Sequence, residues 1–166
     1  MTPYGWASFS ACGRYRYALG RVLTEEPRPR WLWVLLNPSK AGADFKDNDP
    51  TARKVIGFSQ RYNVATSVIV NPNALIETSP KRVKELRRLG IDVCGPENDK
   101  HILAQARLAD RIIVGWGGNI DATDRARVLR LLAGHTLWSL GVTQGGEPAH
   151  PLMLAYATPL VPYEVA

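Results

Sequence analysis

The sequence predicts a three-layer α/β/α sandwich built around a mainly parallel four-stranded sheet. Four short apolar runs of strand length recur along the chain, and stretches with helical periodicity lie between them. Strands that alternate with crossover helices form β-α-β units, and such units make parallel sheets covered by helices. The first run is also apolar nearly throughout, as a strand buried on both faces must be. At 166 residues the chain has the length of one ordinary domain, taken here as 1–166.

The elements follow in order. Residues 1–30 carry Tyr15, Tyr17 and Leu19 alternating with Arg14, Arg16 and Arg21, which suits an edge hairpin or N-terminal extension. The first strand, 31–36, reads WLWVLL and stops at Asn37-Pro38-Ser39. Asp49-Pro50-Thr51 has a capping residue before a proline, so a helix opens there and runs to about residue 62. The second strand, 66–70, stops at Asn71-Pro72-Asn73. Ser79-Pro80 repeats the cap-then-proline signal and opens a basic helix to residue 89. Ile102, Leu103, Ala106 and Leu108 place a helix over 96–109, and the third strand, 111–116, ends in Gly117-Gly118-Asn119. A last helix over 124–132, opening at Asp124, precedes the fourth strand at 136–140.

Composition narrows the function classes. Hydrophobic residues make up 45% and charged residues 22% of the chain, the balance of a globular protein and not of a disordered one. No run reaches the ~18 apolar residues of a membrane helix. The opening MTPYGWASFS lacks the basic-then-apolar pattern of a secretory signal, so a cytoplasmic protein is expected. Cys12 and Cys94 are too few for a four-cysteine metal or cluster site and are expected as free thiols. The net charge is +6, and 15 of the 21 basic residues are arginines, the side chain suited to bidentate phosphate contacts. The basic clusters lie at 14–30, 81–88 and 125–130. Two readings stay open for these clusters: phosphate contacts by Arg82, Arg87, Arg88, Arg125 and Arg127, or solvated helix faces with local pairs such as Arg82 with Glu85.

Ligands of open parallel sheets bind beyond the carboxyl ends of the strands. Here those ends carry Asn37-Pro38-Ser39, Asn71-Pro72-Asn73 and Gly117-Gly118-Asn119, and the loop after the fourth strand reaches His150-Pro151-Leu152. Amides and one imidazole therefore converge on one edge, although Asn-Pro also simply stops strands. His101 and His135 read as ordinary helix-end or surface histidines, whereas His150 sits between Pro148 and Pro151 in a stiff loop. Asp44, Asp47 and Asp49 lack EF-hand spacing and read as a solvated loop with one helix cap. Gly115-Trp116-Gly117-Gly118 matches neither a dinucleotide nor a P-loop fingerprint. No metal and no cofactor are expected.

The motifs Arg14-Tyr15-Arg16-Tyr17, Leu35-Leu36-Asn37-Pro38-Ser39, Asp49-Pro50-Thr51, Val70-Asn71, Gly95-Pro96-Glu97-Asn98, Gly115-Trp116-Gly117 and His150-Pro151-Leu152 closely resemble a family of short bacterial and phage proteins described as a domain of unknown function. More distantly, the layout resembles the uracil-DNA glycosylase superfamily. That resemblance implies a four-stranded parallel sheet between helices, with Asn37 supporting the hydrolytic water or the sugar cation. It implies that Asn71 reads the base edge and that His150 donates to a base carbonyl. Leu152 stands where Ser is usual there, the cluster-binding cysteines are missing, and the first motif lacks an acidic residue.

The expected function is therefore recognition or excision of a modified base in DNA. Asn37 and His150 are the candidate catalytic residues; Pro38, Ser39, Phe45, Asn71, Asn73, Trp116 and Leu152 are the candidate binding residues. The base anion that leaves needs an electrophilic donor, a role for His150, and Phe45, Phe58 or Trp116 would stack on an extruded base. An enzyme acting on a free nucleotide or modified base, and a non-catalytic nucleic-acid-binding module, are the alternatives. The expected partner is nucleic acid, DNA foremost, or a nucleotide, with no membrane and no obligate protein partner.

Overall fold

Residues 1–165 are described by a computed structural model. Seven strands form one sheet: β1 (Tyr4–Phe9), β2 (Arg16–Val22), β3 (Arg30–Leu35), β4 (Thr66–Val70), β5 (Arg111–Gly115), β6 (Leu137–Ser139) and β7 (Val161–Pro162). Their order is β1-β2-β4-β3-β5-β6-β7. The four expected strands are its parallel centre, since β3 pairs with β4 and β5, and β5 pairs with β6.

The four-stranded expectation is corrected at both edges. β2 runs antiparallel to β4, β1 antiparallel to β2, and β7 antiparallel to β6. β2 is an internal strand, with Tyr17, Ala18 and Leu19 buried. Its arginines are buried too: Arg16 is 3% and Arg21 0% exposed. They donate to carbonyls of the loop after β3, Arg16 to Ala41 at 2.8 Å and Arg21 to Gly42 at 2.8 Å. Buried cations need such acceptors, so these arginines, expected in an edge hairpin, instead hold a loop in place. β7 is only two residues long and includes Pro162, too little for a local signal.

Four helices complete the fold: α1 (Pro50–Arg61), α2 (Pro80–Arg88), α3 (Asn98–Leu108) and α4 (Ala122–Leu131). The Asp49 carboxylate accepts from the Ala52 N–H and Ser79 Oγ from the Arg82 N–H, each with proline in the first turn. α4 starts earlier than expected because Asp121 caps it, accepting from the Thr123 N–H. Asp124 lies inside the first turn and is 4% exposed, turned toward arginines of two elements.

α1 packs Ala52, Val55 and Phe58 against Trp31, Trp33, Leu35, Ile69 and Ile113 on one face of the sheet. On the other face α3 and α4 pack Ile102, Ala106, Val128 and Leu132 against Leu32, Val34, Val68, Ile112 and Val114. The chain steps from β3 outward to β4, then crosses back over β3 to β5. Right-handed crossovers taken in opposite directions put their helices on opposite faces. The reversal also parts the loops that leave β3 and β5, whose ends meet at the register pair Leu35 and Gly115. That parting is where open α/β sheets bind ligands. α2 buries only Val83, in a small cluster with Tyr15, Tyr17, Leu75 and Val93.

Candidate functional site

A cleft of about 550 Å³ opens at this switch point. Its walls are Leu36, Asn37 and Ser39 after β3, Pro50 and Thr51 at the start of α1, and Thr78 and Pro80 before α2. Trp116 through Asn119 after β5 and Ala149, His150 and Leu152 close the other side. Two narrow recesses lead off it, and Asn37 lines all three spaces.

Each side chain is held for a local reason. Pro38 lacks an N–H and ends β3, and its carbonyl accepts from the Glu77 N–H at 3.1 Å. Asn37 Nδ2 donates back to the Glu77 carbonyl, which leaves Oδ1 as the free end of that amide. The loop with His150 is fastened by the Gly117 N–H to the Pro148 carbonyl at 2.8 Å and by the Ala149 N–H to the Gly141 carbonyl at 2.9 Å. Gly117 adopts φ 73°, favoured by glycine. At Gly115 an added Cβ would lie 3.2 Å from the Ala149 carbonyl, so glycine lets this loop close onto β5. Beyond it, the chain is tied to α1 by Lys54 to the Leu154 carbonyl and by the Leu160 N–H to Tyr62 Oη.

His150 has the most perturbed imidazole. Burial pulls it down to about 4, against a smaller opposing pull from Asp49, so the ring is neutral at pH 7. Nδ1 accepts from the Leu152 N–H at 3.2 Å, which puts the remaining proton on Nε2. The site thus contains a neutral, fixed N–H donor.

Among the expected binding residues, Ser39 and Leu152 line the cleft with Asn37 and His150, while Pro38 is buried behind it. Asn71 is 2% exposed and lines one recess with Arg16, Ser39, Asp49 and Thr51; its Nδ2 donates to the Leu35 carbonyl at 3.1 Å. Asn73 lines the other recess and accepts from Arg87 at 2.9 Å. Two aromatic assignments are corrected. Phe45 lies under the Arg21 guanidinium, 5.9 Å from its ring centroid, and is outside the cleft. Trp116 walls the cleft, but it is 1% exposed, donates to Glu147 at 2.7 Å and packs edge-on against Tyr163. It is a core side chain with no free face for stacking, and Phe58, 0% exposed, is likewise core.

The arginines are redirected as well. Arg87 bridges Asp121, Asp124 and Asn73; Arg127 bridges Asp99, Asp124 and the Pro72 carbonyl; Arg125 pairs with Glu147 at 2.8 Å. Arg82 pairs with Glu85 at 3.2 Å, and Arg88 is exposed. Buried carboxylates draw cations inward because each otherwise stays uncompensated. Lys84 and Arg87 both line the second recess, and Lys40 and Lys81 are exposed and adjacent in sequence to the wall residues Ser39 and Pro80. Asp44, as expected, belongs to a loop: it caps the 3₁₀ turn Phe45–Asp47 and pairs with Lys46.

Sequence reasoning missed Arg16, Thr51, Thr78 and the second role of Asp49, which caps α1 and also lines a recess. Arg16 had a signal in its Arg-Tyr-Arg-Tyr motif, and Asp49 and Thr51 in Asp49-Pro50-Thr51, but neither motif indicated a recess. A family model described as Protein of unknown function (DUF1643) matches residues 16–152. No curated protein and no solved structure matches the chain.

Proposed function

The chain belongs to this family of unknown function, and we propose that it takes up a nucleobase in the cleft and hydrolyses the N-glycosidic bond that holds it, in DNA or in a nucleotide. The observation that carries this reading is His150, a neutral imidazole with its proton on Nε2 at the cleft wall. Breaking a glycosidic bond leaves electrons on the base, and a fixed donor in a half-buried site stabilises them without reorganising. Across the strand ends, Asn37 Oδ1 is free to support the sugar cation. The walls Leu36, Pro50, Pro80 and Leu152 suit the faces of a planar base, and about 550 Å³ accommodates a nucleoside. The parallel strands with helices on both faces support the resemblance to the uracil-DNA glycosylase superfamily.

For phosphates, Lys84 in the second recess and the exposed Lys40 and Lys81, next in sequence to wall residues, stand in for the arginines that ion pairs occupy. That occupation favours, as a second reading, a free nucleotide over a long strand. The test is incubation with oligonucleotides carrying deaminated and alkylated bases, and with the matching free nucleotides, followed by assay of abasic sites and released base. Wild-type protein should release base and His150→Asn should lose about 10²–10³-fold. Binding without release from either substrate class would refute the hydrolytic reading and leave a binding module.

A further inference from the structure

The recess behind Asn37 holds two buried polar atoms that have no hydrogen-bond partner among the described residues, and they are complementary. Arg16 is 3% exposed; its Nη1 donates to the Ala41 carbonyl at 2.8 Å, but Nε has no protein partner. Asn71 is 2% exposed; its Nδ2 donates to the Leu35 carbonyl, but Oδ1 has no protein partner. An orphan donor and an orphan acceptor thus line one space with Asp49. The hydrogen bond from the Ala52 N–H uses Asp49 Oδ1 and leaves Oδ2. The space is about 20 Å³, room for one or two waters and not for a phosphate or a base. It adjoins the cleft, since Asn37, Ser39 and Thr51 line both.

We propose that this recess is the site of the hydrolytic water, held by Arg16 and Asn71, with Asp49 as the base that takes its proton. Arg16 Nε–H donates to the water oxygen, and the water's two hydrogens go to Asn71 Oδ1 and Asp49 Oδ2. One lone pair is left for attack through the Asn37 gap. The proposal rests on the hydrolytic reading above. As the water oxygen bonds to the sugar carbon, the carbon–nitrogen bond breaks and its electron pair leaves on the base, where the His150 Nε2–H stabilises it. One water proton passes to Asp49 and then to solvent, and the base takes a proton from solvent on release. Burial lowers the Arg16 guanidinium to about 10, with Asp49 opposing, so it keeps its charge at neutral pH. Asp49 supplies the proton acceptor that an Asn37 amide cannot be.

Asp49→Asn separates this role from capping, because asparagine is as good an N-cap as aspartate. The measurements are a high-resolution crystal structure of the wild type and base-release kinetics of both proteins on the substrate the wild type cleaves best. The expected result is an ordered water on Arg16 Nε, Asn71 Oδ1 and Asp49 Oδ2. With it, Asp49→Asn should stay folded with an unchanged KM and lose about 10²–10⁴-fold in kcat. A dry recess, or an Asp49→Asn protein with wild-type kcat, overturns the proposal. If wild type and variant release base equally, the glycosidic reading survives and this one fails. If the wild type releases none while the water is in place, the glycosidic reading fails and this proposal falls with it, the water being structural only.

Discussion

Protonating His150 should cost the protein stability over a defined pH window. The unfolded chain takes up this proton near pH 6.5, whereas burial holds the folded imidazole down to about 4. Between those values the unfolded state binds more protons, so stability rises with pH there, is complete above 6.5 and is lost as pH falls toward 4. At ~1.36 kcal/mol per pH unit, lowering the pH from about 7.5 to about 4.5 removes about 2.5 kcal/mol through this one group. His150→Asn is the matched control. An asparagine Oδ1 can accept the Leu152 N–H as Nδ1 does, and it does not titrate. Urea unfolding of both proteins at the two pH values should show the wild type losing about 2.5 kcal/mol more than the variant, the other titrating groups cancelling in the difference. The imidazole Cε1–H resonance should titrate near 4 and move lower still in Asp49→Asn, since the Asp49 charge opposes the burial. Equal pH dependence in the two proteins, or a resonance titrating near 6.5, would refute the claim that a neutral donor is built into the cleft.

The ion-pair assignments can be tested in the same unfolding assay. Arg87→Met leaves Asp124, 4% exposed, with Arg127 as its remaining partner and should destabilise by about 2 kcal/mol. Arg88→Met, on the exposed side of α2, should change stability by less than ~0.5 kcal/mol; similar values for the two would show that Arg87 is a surface residue after all. For binding to labelled DNA, Lys81→Ala and Lys84→Ala should each lower the slope of log affinity against log salt by ~0.7–0.9, while Arg125→Ala leaves it unchanged. A slope that responds to Arg125 and ignores the lysines would return the phosphate contacts to α4.

The parallel centre of the fold was legible because its signals are local. Apolar runs such as 31–36 declare strands buried on both faces, and Asp49-Pro50 and Ser79-Pro80 declare helix starts. Asn37 and His150 were legible for a related reason, since residues just past strand ends must lie at the edge where such sheets bind ligands. The sequence by itself therefore determined the strand and helix alternation and which edge carries the cleft. Only the tertiary structure decided where the charges went. Arg16 and Arg21 look like edge-hairpin residues until β2 is seen between β1 and β4, and Arg87 looks like a phosphate ligand until Asp124 arrives from 37 residues away. The physical reason is that a guanidinium's role depends on which acceptors reach it and on how much water they displace, and both depend on chain segments remote in sequence. Phe45 and Trp116 follow the same rule, for an aromatic ring declares that it will be covered but not by what.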